Sequence, residues 1–137
     1  MASESIHLRI ASNPENLSRV RTLVREVASK TSLSNEDAGN IILAVDEACS
    51  NIIKHCCRDD HSRNIDLTIT RGKTILTISI VDDGTPFNID LIKSRDITEL
   101  KPGGFGVHLI RQIMDAVEYS HTSKGFNKIK MVKKLSN

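Results

Sequence analysis

At 137 residues the chain has the usual length of a single compact domain and is long enough to bury a core. Its net charge of +2 comes from 19 basic and 17 acidic residues that interleave along most of the chain, which argues against direct nucleic-acid binding. No apolar run approaches the ~20 residues that span a bilayer, and the opening MASESIHLRI lacks the basic-then-apolar pattern of a signal peptide, so no membrane role and a cytoplasmic location are expected.

Ile6, Leu8 and Ile10 alternate with polar residues and predict a first strand, at a sheet edge. Asn13 followed by Pro14 starts a helix, because proline is tolerated in the first turn, where no amide donor is needed. Leu17, Val20, Val24 and Val27 repeat at helical spacing and carry that helix to about Ser29. A second helix is capped by Ser34, with Asp37 three residues on approximating a capping box.

This second helix is the one around which the chain is organised. Ile42, Val45, Cys49, Ile52, Ile53 and Cys56 form its apolar stripe, while Glu47, Asn51 and His55, four apart, form a polar ladder. Ala44 and Ala48 are expected to line the polar face near Glu47, where small side chains would let a ligand approach. A solvated face is the plain alternative for such a ladder. The three cysteines suit a reducing compartment better than a disulfide framework. His55, Cys56, Cys57 and His61 are close in sequence, but adjacent helical cysteines diverge by about 100° and no second spaced pair exists, which disfavours zinc. Packing is the expected role of Cys49 and Cys56.

Asp59 to Ser62 break the helical pattern, and Ile65, Leu67 and Ile69, then Leu76, Ile78 and Ile80, alternate as an antiparallel hairpin that delivers Asp82 at its end. Asp82, Gly84 and Pro86 are also ordinary turn residues. Residues 88–102 have no clear period and read as a flexible loop. Gly103, Gly104, Phe105 and Gly106 then feed a helix whose stripe is Val107, Ile110, Ile113 and Met114. Consecutive glycines before a helix let backbone amides approach phosphates, although they serve equally as a plain helix entry. AVEYSHT and FNKIKMVKKL close the chain as a hairpin joined through SerLysGly, with the lysine-rich run 128–134 expected to be a half-exposed edge. The resulting order predicts a two-layer α/β sandwich in one domain, residues 1–137, with a mostly antiparallel sheet covered by helices on one face.

The ordered set Glu47-x-x-x-Asn51 on a helix, Asp82-x-Gly84 after a strand, and a glycine-rich turn at 103–106 resembles the N, G1 and G2 boxes of the ATP-binding superfamily that includes gyrase, Hsp90, sensor histidine kinases and MutL. GluAlaCysSerAsn at 47–51, AspGlyThrProPhe at 83–87 and the stretch 103–119 are most similar to the anti-sigma-factor serine kinases. The resemblance spans essentially the whole chain and implies the Bergerat-type ATP-binding fold, with the 88–102 loop as a lid. It implies Glu47 as catalytic base, Asn51 as Mg²⁺ ligand, Asp82 as acceptor from the adenine amino group and Gly84 as space for the base. Gly103, Gly104 and Gly106, with Phe105 and Val107, would form the phosphate-facing turn. Lys101 stands near the position where some relatives carry arginine, and as a point charge it cannot make arginine's planar bidentate contact. The implied cofactors are ATP and Mg²⁺, and the implied partners are an anti-anti-sigma protein and a sigma factor, with a homodimer allowed. A nucleotide-dependent binding module without phosphoryl transfer is the alternative.

Overall fold

The computed structural model describes residues 3–90 and 107–136. Among these residues five strands form one sheet: β1 (Glu4–Ala11), β2 (Asn64–Arg71), β3 (Ile75–Asp82), β4 (Ala116–His121) and β5 (Asn127–Lys134), in the order β1-β2-β3-β5-β4. Every pairing is antiparallel, and β1 is an edge strand, as its short alternating run predicts. Period-two alternation explains the layer: Ile65, Leu67, Ile69, Leu76, Ile78, Ile80, Ile129 and Met131 all turn into one core, while Thr68, Thr77, Ser79 and Lys130 turn away.

The helices α1 (Leu17–Ala28), α2 (Asn35–Asn51) and α3 (Val107–Ile113) supply the other half of that core through Val20, Val24, Val27, Ile41, Val45, Cys49 and Ile110. A 3₁₀ turn, Pro14–Asn16, precedes α1, and the Asn13 side chain accepts the Glu15 amide at 3.1 Å. Ser34 caps α2 by accepting from the Asp37 amide at 3.1 Å, the bond that the Ser-x-x-Asp spacing predicts. Arg21 and Asp46, 2.7 Å apart, tie α1 to α2.

Two expectations are corrected. The lysine-rich strand β5 is not an edge: it lies between β3 and β4, and the second edge is β4. Lys128 and Lys130, alternating with the buried Ile129 and Met131, mark the solvent face of a half-buried strand as readily as they mark an edge. Ala44 and Ala48 do not line the polar face of α2; they are fully buried, and Ile41 replaces the half-buried Ile42 at the centre of the stripe. A helix flanked by α1 on one side and α3 on the other buries a wider arc than a single stripe, and small residues let those neighbours come close.

Past Asn51 the helix continues as a π turn, Ile52–Cys56, closed by the Cys57 amide donating to the Ile52 carbonyl at 2.8 Å. Arg58 and Asp59 follow in the left-handed region, with φ of 50° and 59°, and end the helix.

Candidate functional site

Glu47 and Asn51 come together on α2 as the i, i+4 spacing requires. Asn51 Nδ2 donates to Glu47 Oε1 at 3.4 Å, a long and weak bond that leaves Asn51 Oδ1 and Glu47 Oε2 for other partners. Glu47 is half-buried and Asn51 is 8% exposed, so the pair sits at the rim of the core and not on a freely solvated face. His55 is half-buried in the π turn, where the four-residue repeat of the face no longer holds.

The registers place Ile10, Ile65, Asp82, Asn127 and His121 in one row across all five strands. The row is apolar at β1 and β2 and polar from β3 onward. Asp82, the last residue of β3, is 2% exposed. Its Oδ1 accepts from the Gly84 amide at 2.9 Å and from Asn127 Nδ2 at 3.0 Å, whereas its Oδ2 is buried with no partner among the described residues. Burial pushes the carboxyl up to about 6, against the pull of the Asn127 and Gly84 hydrogen bonds and with a further push from the charge of Asp83. An orphaned buried acceptor is costly and suits a ligand that brings a donor. An adenine amino group is such a donor, so the residues fit the nucleotide that the motifs imply.

Gly84 has a specific packing reason. A Cβ on it would lie 2.5 Å from the Cys56 carbonyl oxygen and 2.9 Å from the Cys57 amide nitrogen. The space that this glycine leaves is filled by the end of the π turn. Thr85 N donates to the same Cys56 oxygen at 2.7 Å, so the turn after β3 is seated on the end of the helix that carries Glu47 and Asn51. Two stretches recognised separately in the sequence are thus one backbone junction.

Asn127 is the residue that sequence reasoning missed. It is fully buried, donates to Asp82 Oδ1 and, at 2.9 Å, to the Thr85 carbonyl, and accepts from the Phe87 amide at 2.9 Å. An asparagine at a strand start reads as turn chemistry, and only the pairing of Asp82 with Asn127 exposes its role. Beyond it, the Phe87 ring meets Tyr119 edge-on at 5.8 Å and His121 at 5.1 Å, and His121 Nε2 is 3.2 Å from the Phe87 carbonyl. The Tyr119 hydroxyl is buried with no partner among the described residues and is pushed up to about 12 by burial.

All three cysteines are buried, the packing role expected of Cys49 and Cys56. Burial raises the thiols of Cys49 and Cys56 to about 12 and that of Cys57 to about 11. Lys101, Gly103, Gly104, Phe105, Gly106 and most of the expected lid lie outside the described residues. Val107 opens α3, which packs against α2 and buries Ile110.

Comparison with known proteins agrees with this fold. The sequence profile of the histidine kinase-like ATPase domain matches residues 10–133. The serine-protein kinase RsbW of Halalkalibacterium halodurans is 29% identical over 128 residues, covering 88% of this chain and 78% of that protein. The protein of the same name from Bacillus subtilis is 23% identical over 129 residues, covering 88% and 81%. In structure, the chain is similar to the RsbU and RsbW domains of a Mycobacterium tuberculosis protein, with a TM-score of 0.67 at 15% identity over 98% of this chain and 33% of that one. It is also similar to the histidine kinase domain of a blue-light activated kinase from Erythrobacter litoralis, with a TM-score of 0.60 at 18% identity over 92% and 62% of the two chains. These two likenesses carry the fold, a five-stranded antiparallel sheet under helices, and the profile carries the family. With its match running from the end of β1 to the end of β5, the chain belongs to the histidine kinase-like ATPase domain family.

Proposed function

We propose that this chain is an ATP-dependent protein serine kinase of the anti-sigma type: a single domain over residues 1–137 that binds ATP or ADP, phosphorylates an anti-anti-sigma protein and sequesters a sigma factor in the cytoplasm. The observation that carries the reading is the Glu47–Asn51 pair on α2, joined through the Cys56 carbonyl to the turn that holds Asp82. The names of the relatives support it, since they are called serine-protein kinases.

In this reading Asp82 Oδ2 accepts from the adenine amino group. Asn51 Oδ1, a hard oxygen, is the protein ligand for Mg²⁺. When bound, the ion neutralises phosphate charge, which is most of what phosphoryl transfer asks of its surroundings. Glu47 Oε2 takes the proton of the attacking serine hydroxyl. Lys101, Gly103, Gly104, Phe105, Gly106 and Val107 are assigned to the phosphate side by resemblance.

The test is incubation with labelled ATP, Mg²⁺ and an anti-anti-sigma protein encoded nearby, followed by mapping of the label. Phosphoserine on the partner supports the kinase. ATP binding with no transfer to any such partner leaves a nucleotide-dependent binding module.

A further inference from the structure

Four polar residues are buried among the described residues: Ser12, Asn51, Asp82 and Asn127. Asn127 belongs to none of the three motifs, yet its side chain is the most fully engaged of the four. Both Nδ2 hydrogens are used, one on Asp82 Oδ1 and one on the Thr85 carbonyl, and Oδ1 takes the Phe87 amide. The bonds to Thr85 and Phe87 stitch backbone and leave one amide hydrogen over. That hydrogen is given to the carboxylate of the site.

That bond has a consequence for the ligand-facing atom. Gly84 N and Asn127 Nδ2 approach Asp82 Oδ1 from two separate segments, so the carboxylate cannot rotate without losing both. Oδ2 is left as the carboxylate's open acceptor among the described residues. We propose that Asn127 is the positioning residue of the base site, locking the Asp82 carboxylate with Oδ2 presented, and so setting the preference for a base with an amino donor over one with a carbonyl at that position. The inference rests on the reading that Asp82 contacts the base.

Protonation enters through the same bond. A carboxylate accepts from the amino group of adenine, whereas a protonated carboxyl can donate to the carbonyl of guanine. The Asn127 hydrogen bond favours the ionised form against burial. Among the described residues, the other ionisable groups whose charge bears on Asp82 are Asp83 on the same turn and the thiols of Cys49, Cys56 and Cys57 from α2 and the π turn. Those thiols are neutral near pH 7, so Asp83 is the charge that opposes ionisation and Asn127 is a main counterweight. Without Asn127, Asp82 should protonate at higher pH and discriminate less.

The experiment is calorimetric titration of the full chain with ATP and with GTP from pH 5 to pH 8, for wild type, Asn127→Ala, Asn127→Leu and Asp82→Asn. The titration of ATP itself is common to all four, so differences between proteins report the site. Wild type should lose ATP affinity as pH falls through about 6. In both Asn127 variants that midpoint should move to higher pH, and the ATP-over-GTP preference should narrow by about tenfold, the scale of one misplaced hydrogen bond. A merely structural asparagine would weaken both nucleotides alike and leave the midpoint in place. Folded Asn127 variants with wild-type midpoint and preference, beside an Asp82→Asn that loses ATP, would overturn the proposal and spare the site. An Asp82→Asn with unchanged ATP binding would overturn both. If neither Asn127 variant folds, nuclear magnetic resonance of the wild type decides: the Asn127 side-chain amide should be protected from exchange and shift as Asp82 titrates, and a freely exchanging amide would overturn the proposal.

Discussion

Gly84 sits so close to the end of the central helix that a Cβ on it would fall 2.5 Å from the carbonyl oxygen of Cys56. Gly84→Ala must therefore push the β3 turn off the π turn. That should cost about 1–3 kcal/mol as overpacking against backbone, and it should weaken ATP binding because Asp82 moves with the turn. Gly39 is the control: it is an exposed helical glycine whose added Cβ meets nothing within 4 Å. Gly39→Ala should stabilise by about 0.5–1 kcal/mol. Thermal denaturation of the two variants should give shifts of opposite sign, and two shifts of the same sign would contradict the junction.

Asp82 makes folding depend on pH in an unusual direction. Its carboxyl is at about 6 in the folded chain against 3.8 ordinarily, so the folded state holds a proton that the unfolded state has released between those values. This contribution is a destabilisation, absent below about pH 4, growing as pH rises and complete above about pH 6, where it reaches about 3 kcal/mol. Asp82→Asn removes it. Urea denaturation without nucleotide should show the variant more stable than wild type at pH 7 by about 1–3 kcal/mol and the difference vanishing near pH 4. ATP affinity should fall by a similar amount through the lost contact. A variant that is less stable at pH 7 would mean that the Asp82 carboxylate is not strained by burial.

Arg58 and Asp59 lie in the left-handed region, which L-residues enter at a cost of about 1–2 kcal/mol. Arg58→Gly should recover about 0.5–1 kcal/mol of this, net of the added freedom of the unfolded chain. The midpoint of chemical denaturation checks it, and a lower midpoint would mean that the Arg58 side chain holds the turn.

Much of the fold is legible in the sequence because two periods dominate it. Ile65–Leu67–Ile69 and Leu76–Ile78–Ile80 alternate cleanly, and Ser34 with Asp37 marks a helix start by local chemistry alone. Strand order is not local, and β5 shows the limit: Lys128 and Lys130 state which face is wet but not whether a neighbour lies on each side. The site is legible where spacing alone makes the contact, as for Glu47 and Asn51. It is illegible where contact is made across the sheet. Asn127 meets Asp82 from 45 residues away, and the π turn that brings Cys56 to Gly84 has no signature in the residue pattern.

Asn51 tests the metal assignment. The residue is less exposed than a ladder on the wet face implies, so Asn51→Ala should lower stability by about 1 kcal/mol while circular dichroism still reports a folded helix. The enhancement of ATP binding by Mg²⁺ should disappear, since the oxygen offered to the ion is gone. Persistent enhancement in a folded variant would move the ligand role to another residue.

In the proposed reaction Glu47 activates a serine hydroxyl, and single-turnover transfer from labelled ATP to an anti-anti-sigma protein reports that step alone. Glu47→Gln keeps the shape of the side chain and its contact with Asn51 but removes the base. Transfer to serine should slow by roughly 10²–10⁴-fold, with ATP affinity and thermal stability close to wild type. Transfer by Glu47→Gln at the wild-type rate, with the same phosphoserine mapped, would rule out Glu47 as the base.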